Sequence, residues 1–227
     1  MILAIETATP VCSVAIWREG MEKPDERRAM GRGVHSEHLF LSVEELFRTY
    51  EMGTDDLTEL LFSAGPGSYT GLRIGAAAIK GMLFGTTVPL YAAGSLEMMA
   101  AGVFTNNGLQ TGGDVHTVIN ARREHLYHQC FHSSGTCEAS TKAAVRSLGE
   151  ISRELKPGDL VIGTGAERLE NYGEEAIRWL GPDSVTAISM IRAWRDPRFR
   201  DWFRSENPQD LVPEYLSSGR PGAAGAG

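Results

Sequence analysis

The chain has 227 residues, 42% of them hydrophobic and 22% charged. That length holds one large or two small domains with real cores, and no apolar run approaches the ~18 residues of a membrane-spanning helix. A formal net charge of −7 argues against broad binding to nucleic-acid backbone and leaves only local basic patches, around Arg122-Arg123 and along Arg192–Arg204.

The opening Met1-Ile-Leu-Ala-Ile-Glu6 reads as a strand, not as a signal peptide with a basic start and small-residue cleavage site. Cys12, Cys130 and Cys137 are too few and too scattered for a disulfide framework, so a reducing cytoplasm is the expected setting. Ile2–Ile5 and Cys12–Trp17 read as the first hairpin of a sheet, joined by the polar turn Glu6-Thr-Ala-Thr-Pro10. Met21–Arg32 is either an edge strand or a loop. Ser36 is placed as the N-cap of a helix running to about Met52, with Leu39, Val43, Leu46, Phe47 and Tyr50 on one stripe and Leu41 and Met52 on another. The second apolar face exceeds what a surface helix needs and hints at a partner.

Leu60–Phe62 is the next strand, and it leads into Ser63-Ala-Gly-Pro-Gly-Ser-Tyr-Thr-Gly-Leu-Arg-Ile-Gly75 and a small-residue helix from Thr70 to about Phe84. A glycine turn between strand and helix can aim backbone N–H groups at an anion. It is no P-loop, because Gly-Lys-Ser/Thr is missing, and Gly65, Gly67 and Gly71 do not fit the dinucleotide spacing. Two readings follow, an unusual anion cradle or a tight connection that lets a helix pack closely, and motif geometry favours the second. Each interior glycine costs the helix ~1 kcal/mol against alanine. Close approach of a neighbour offsets that loss, either inside the chain or at an oligomer surface.

Thr87–Leu90 reads as a strand and Ser95 to about Val103 as a helix. Thr105–Asp114 is the most loop-like internal stretch and the expected boundary between a first lobe, 1–104, and a second, 115–204. His116–Ile119 and Leu126–Phe131 form a second hairpin, Leu148–Leu155 a helix capped by Ser147, and Leu160–Ile162 a strand before a second glycine turn, Gly163-Thr-Gly-Ala166. Both halves thus open with a hairpin and later show strand, glycine turn and helix, which suggests two related lobes. Residues 205–217 are expected to pack back on the first lobe, and 218–227 form a Gly/Ala-rich tail expected to be disordered.

Candidate chemistry is sparse. His35 and His38 lie three apart without a third metal ligand in view, and H-E-x-x-H is absent. His128, Cys130 and His132 alternate on one strand face, with a half-exposed polar face as the plainer reading. Ser68 is not in a nucleophile elbow, and no paired nucleophile and base supports a peptidase. Glu6 at a strand end either holds a hydrated cation beside a phosphate or hydrogen bonds its own turn.

Ile2-Leu-Ala-Ile-Glu-Thr-Ala-Thr9, His35-Ser-Glu-His-Leu39, Gly65-Pro-Gly-Ser-Tyr-Thr-Gly-Leu-Arg-Ile-Gly75, Asn120-Ala-Arg-Arg123 and Pro213-Glu-Tyr-Leu216 resemble, in order, the landmarks of the TsaB family. This family is the dimerisation subunit of the bacterial system that forms N6-threonylcarbamoyladenosine in tRNA. The resemblance implies a two-lobed α/β fold of the actin/Hsp70/sugar-kinase type, with a duplicated mixed β-sheet and flanking helices. It implies a non-catalytic partner for TsaD, the paralogue that transfers the threonylcarbamoyl group, with TsaE, a small ATPase, joining them and TsaC making the adenylate. The helices at Ser36–Met52 and Thr70–Phe84 would pair with TsaD or with a second copy, with Leu41, Gly71, Ile74, Gly75 and Ala78 as interface residues. tRNA is touched indirectly and no membrane is involved. No cofactor is expected to bind this chain strongly by itself; ATP with magnesium enters only within the complex. An ATP-binding phosphotransferase or ATPase of the same fold is the alternative, with Glu6, Thr7, Gly65, Gly67, Gly163 and Gly165 as the phosphate or nucleotide residues. TsaD carries two metal-binding histidines at i and i+4 on the corresponding helix; His35 and His38 do not match that spacing. Asn120 stands where the family usually has aspartate, and the Asp196–Phe203 segment matches no landmark.

Overall fold

Strand β1 (Ile2–Glu6) is buried along its whole length and pairs antiparallel with β2 (Val11–Trp17). Strand alternation sends Leu3 and Ile5 to one face and Ile2 and Ala4 to the other, and helices cover both. The structure is a computed structural model describing residues 1–31, 33–106, 112–133, 137–172 and 176–216. The stretch after β2 is an edge strand, β3 (Asp25–Met30), with four consecutive charged residues that discourage further edge pairing. Helix α1 (Val34–Thr49) begins two residues before Ser36. Gly33 is its N-cap, at φ 75°, and the Ser36 hydroxyl donates back to the Gly33 carbonyl instead of capping.

β4 (Glu59–Ser63) lies parallel to β1 and feeds α2 (Tyr69–Met82), where Ser68 Oγ accepts from the Gly71 N–H at 3.2 Å. β5 (Leu90–Ala93) starts at the last residue of the expected Thr87–Leu90 strand, because burial begins only at Leu90. α3 (Ser95–Phe104) follows. The second hairpin is β6 (Val115–Asn120) and β7 (His125–Phe131), extended by β8 (Ala144–Ser147), α4 (Leu148–Ser152), β9 (Leu160–Ile162), α5 (Ala166–Glu170) and β10 (Arg178–Leu180). The Ser147 cap on α4 is present and reciprocal: its Oγ accepts from Glu150 N–H while the Glu150 carboxylate takes the Ser147 N–H.

The first sheet runs β11-β5-β4-β1-β2-β3 and the second β10-β9-β6-β7-β8. In each, a hairpin's first strand pairs parallel with the strand that precedes the glycine turn. This is the two-lobed actin/Hsp70/sugar-kinase architecture, with mixed sheets and flanking helices. α3 is buried almost all round because it lies between the sheets, giving Met98 and Ala101 to the first and Leu96, Met99, Ala100 and Val103 to the second.

One boundary moves. Residues 188–204, read from sequence as second lobe, belong to the first: α6 (Ile188–Arg195) packs Met190, Ile191 and Trp194 on Ile2, Ala4 and Leu61. β11 (Phe203–Glu206) then closes the first sheet against β5. The sequence hid this because both elements are short and follow the whole second lobe. Beyond them Leu211 enters the first core and the Glu214 N–H donates to the Ala64 carbonyl at 2.7 Å. The tail 218–227 and part of the Thr105–Asp114 loop lie outside the described residues.

Candidate functional site

The glycine string wraps the Glu6–Pro10 turn. A Cβ on Gly67 would overlap the Ala8 carbonyl, one on Gly71 the Thr7 carbonyl, and one on Gly75 the Thr7 hydroxyl and the Phe62 ring. Gly65, at φ 125°, lies against the Glu214 carbonyl of the C-terminal segment. Ser68 N–H donates to Ala8 at 2.6 Å and Ser95 N–H to the Gly65 carbonyl at 2.7 Å. The string is therefore a packing device: it lets α2 approach the first hairpin at backbone contact distance.

That geometry corrects the interface set. Gly71, Gly75 and Ala78 face inward and are buried within the chain, so they are not open to a partner. Leu41 is 58% exposed beside Phe40 at 55%, and Ile74 is half-buried on α2. The exposed small residues of α2 are Ala77 and Gly81, and around Gly81 a Cβ would meet nothing within 4 Å. Leu39, Val43 and Leu46 go to the core and Phe47 is half-buried against it. Phe40, Ala77 and Gly81 were missed as surface residues; the i, i+4 spacing of 77 and 81 on the side opposite Leu72 and Ile79 was the available signal.

The nucleotide residues do not fit magnesium and phosphate. Glu6 is 3% exposed and its Oε1 accepts from the Ala8 N–H at 2.6 Å. Burial pushes its carboxyl up to about 7, against hydrogen bonds from Ser63, Ala8 and Thr9 that pull the other way. A carboxylate so enclosed hydrogen bonds its own turn and presents no face to a hydrated cation. Thr7 Oγ1 is buried beside Gly75 without a hydrogen-bond partner. In the second turn the Gly163 and Gly165 N–H groups donate to the Leu180 and Val118 carbonyls, which leaves neither for a phosphate. Asn120 replaces aspartate usefully: its Nδ2 donates to the Thr164 carbonyl at 2.7 Å and its Oδ1 accepts from Arg168 at 3.1 Å. An aspartate could make only the second contact.

The histidines sort differently from their spacing. His35 is buried with Nε2 2.8 Å from the Thr9 carbonyl, and burial lowers its pKa; His38 is exposed. The two rings occupy different environments and cannot share an ion. His128 and Cys130 are buried, whereas His132 is exposed and pairs with Asp114 at 3.1 Å. The third member of the buried group is His116 on β6, whose Nδ1 is 3.0 Å from His128 Nε2 and whose Nε2 is 3.3 Å from Asp159 Oδ2. With the acid accepting from His116 Nε2, the network assigns His128 Nε2 as donor to His116 Nδ1. That leaves His128 Nδ1 as a lone pair without a donor, and it is the ring atom found unpartnered. Burial, outweighing Asp159, lowers the His116 pKa; burial and His116 push His128 down to about 3. Cys12 is inert, its thiol pushed up to about 12 by burial. Among the described residues no group of three or more His, Cys, Asp or Glu is arranged to hold a metal ion, and no helix is long and apolar enough to cross a membrane.

Residues 32–176 match the family described as "TsaD: tRNA N6-adenosine threonylcarbamoyltransferase". The chain is 32% identical to the tRNA threonylcarbamoyladenosine biosynthesis protein TsaB of Bacillus subtilis over 219 residues, 95% of this chain and 93% of that one. It is 29% identical to the protein of the same name from Escherichia coli, covering 77% and 76%. In structure it is similar to YeaZ of Pseudomonas aeruginosa, with a TM-score of 0.75 at 22% identity over 95% of this chain and 99% of that one. The 32% identity across nearly the full length of both chains places the chain in the TsaB family.

Proposed function

We propose that this chain is the non-catalytic accessory subunit of a tRNA N6-threonylcarbamoyladenosine-forming system, docking a TsaD-type transferase and helping recruit a TsaE-type ATPase. The observation that carries it is the uncovered α1–α2 surface. Phe40 and Leu41 lie more than half exposed on α1, and Ala77 and Gly81 leave α2 open to close approach by another helix. α1 and α2 touch each other on one face of the first sheet, so these residues belong to one side of the lobe. Leu41 and Ile74 keep their place as interface residues, joined by Phe40 and Ala77. A second copy of this chain takes the same surface when the transferase is absent. The buried Glu6 and the spent amides of Gly163 and Gly165 support the accessory role over the ATPase alternative. Nucleotide and magnesium enter at the complex.

The test is product formation on unmodified tRNA with TsaC, TsaD and TsaE, with and without this chain. Product that depends on the chain supports the reading. Product formed equally well without it, or ATP turnover by the isolated chain, overturns it.

A further inference from the structure

A second uncovered surface lies away from α1 and α2, where α6 and the 3-10 turn after it (Pro197–Trp202) meet the end of α3. Phe104, Thr105, Arg192, Arg195, Pro197 and Arg198, with Asp196, line an open groove of about 460 Å³. Arg198 is spent on Asp196, with contacts of 2.6 to 3.1 Å. Arg192 and Arg195 are exposed and have no carboxylate partner among the described residues. Arg195 sits over Trp17, its guanidinium carbon 3.7 Å from the ring centroid. The cation–π contact holds the guanidinium on the ring, and less freedom is then lost on binding.

The plainer explanation is that these arginines complement helix dipoles, since α3 and α6 both end here. Each helix end carries roughly half a negative charge, about one in all. Two unpaired guanidinium groups outnumber that, so the groove stays positive on a chain whose net charge is −7. An excess of positive charge against the general sign of the protein, with one of the two guanidinium groups held on an aromatic ring, suits an anion that presents several acceptor oxygens, such as a phosphodiester. Such a surface engages a polyanion locally while the rest of the chain repels it. This matches a substrate held mainly by another subunit.

Resting on the function proposed above, we propose that the Arg192–Arg195 groove contacts the phosphodiester backbone of the tRNA while the chain is docked on its transferase. The contact reads no sequence. It adds two phosphate contacts and thereby holds the substrate more firmly on the assembled complex than on the transferase alone.

The experiment is fluorescence anisotropy of labelled unmodified tRNA with the assembled complex across a salt series, using wild type, Arg192→Glu, and the Arg192→Gln/Arg195→Gln double variant. Arg192→Glu leaves the Trp17 stack in place, so it stays interpretable if the double variant folds poorly. Size exclusion monitors assembly in parallel. Expected is a roughly tenfold weaker tRNA affinity near physiological salt, with a slope of log affinity against log salt shallower by about 1.4–1.8 for the double variant. Arg195→Lys, which keeps the charge, should keep most of the wild-type slope. Unchanged affinity and slope in an intact complex overturn the proposal. So does loss of assembly with tRNA binding to the remaining components unaltered, which would make the groove a dock for an acidic protein surface. A wild-type chain that fails to stimulate modification at all counts against the accessory function instead, and is told apart because the variants then never enter the comparison.

Discussion

The two strand–glycine turn–helix units occupy equivalent places in the two lobes, yet their glycines meet different things. In the first, Gly67, Gly71 and Gly75 press on backbone and hydroxyl atoms of the Glu6–Pro10 turn, and Gly65 on the C-terminal segment. In the second, Gly163 meets the Val118 carbonyl and Gly165 the Leu126 side chain, while Asn120 reaches across to Thr164. The first hairpin turn is closed by its own buried acid; the second is tied to its glycine turn by an amide. In the first turn the Glu6 carboxyl, and in the second the Gly163 and Gly165 amides, are engaged in contacts within the chain.

The largest effects should come from the first turn. Gly71→Ala puts a methyl group into the Thr7 carbonyl, which is backbone and cannot swing aside. A loss of more than about 3 kcal/mol is expected in urea unfolding. Gly81→Ala, on the same helix but in open space, should do the reverse and stabilise by about 0.5–1 kcal/mol. Equal responses at the two positions would show that helix propensity, not close packing, governs the string.

The buried histidines and the buried Glu6 should also respond to pH with opposite sign. His116 and His128 are held neutral in the folded state, their pKa values lowered from 6.5. The unfolded chain therefore binds more protons below pH 6.5, and stability falls with acidification there by up to about 2.7 kcal/mol per pH unit for two sites. Glu6 has its folded pKa raised from 4.5 to about 7. The folded state then binds the extra proton between those values, so stability falls as pH rises through that window, by about 3 kcal/mol in full. Urea unfolding at pH 5, 6.5 and 8 should show Glu6→Gln removing the loss that accompanies rising pH up to about 7 and His128→Gln reducing the loss that accompanies acidification below 6.5. A Glu6→Gln curve parallel to wild type would mean that the carboxyl is not protonated in the fold.

Much of the first lobe was legible because its signals are local. The hairpin, α1, β4 and α2 announce themselves by alternation, stripe and glycine turn. α6 and β11 are short, and nothing local says that they return to the first sheet; only the burial of Met190, Ile191, Trp194 and Phe203 on Ile2 and Leu61 decides it. The inward pointing of Gly71 and Gly75 was equally non-local, since it depends on where the Glu6–Pro10 turn sits. The same holds for His116. It joins His128 only through pairing of β6 with β7, while His132, at the right spacing on one strand, turns outward to Asp114.

A smaller effect separates the amide bridge from the acid turn. Asn120→Asp keeps the contact with Arg168 and loses the donor to the Thr164 carbonyl, setting oxygen against oxygen. A destabilisation of about 1–2 kcal/mol is expected. No change in unfolding midpoint would mean that the bridge is incidental to the second turn.

The smallest effect on stability should accompany the largest on assembly. Leu41 is 58% exposed and stands outside the buried stripe of Leu39, Val43 and Leu46. Leu41→Glu should change unfolding free energy by no more than about 0.5 kcal/mol. If α1 forms the partner surface, the same change buries an unpaired carboxylate there and should weaken transferase binding by about 2 kcal/mol or more, roughly thirtyfold. Gly71→Ala would also weaken binding, but through loss of stability. Titration of the folded Leu41→Glu chain against the transferase by calorimetry therefore separates outer surface from inner packing, and unaltered affinity would move the dock away from α1.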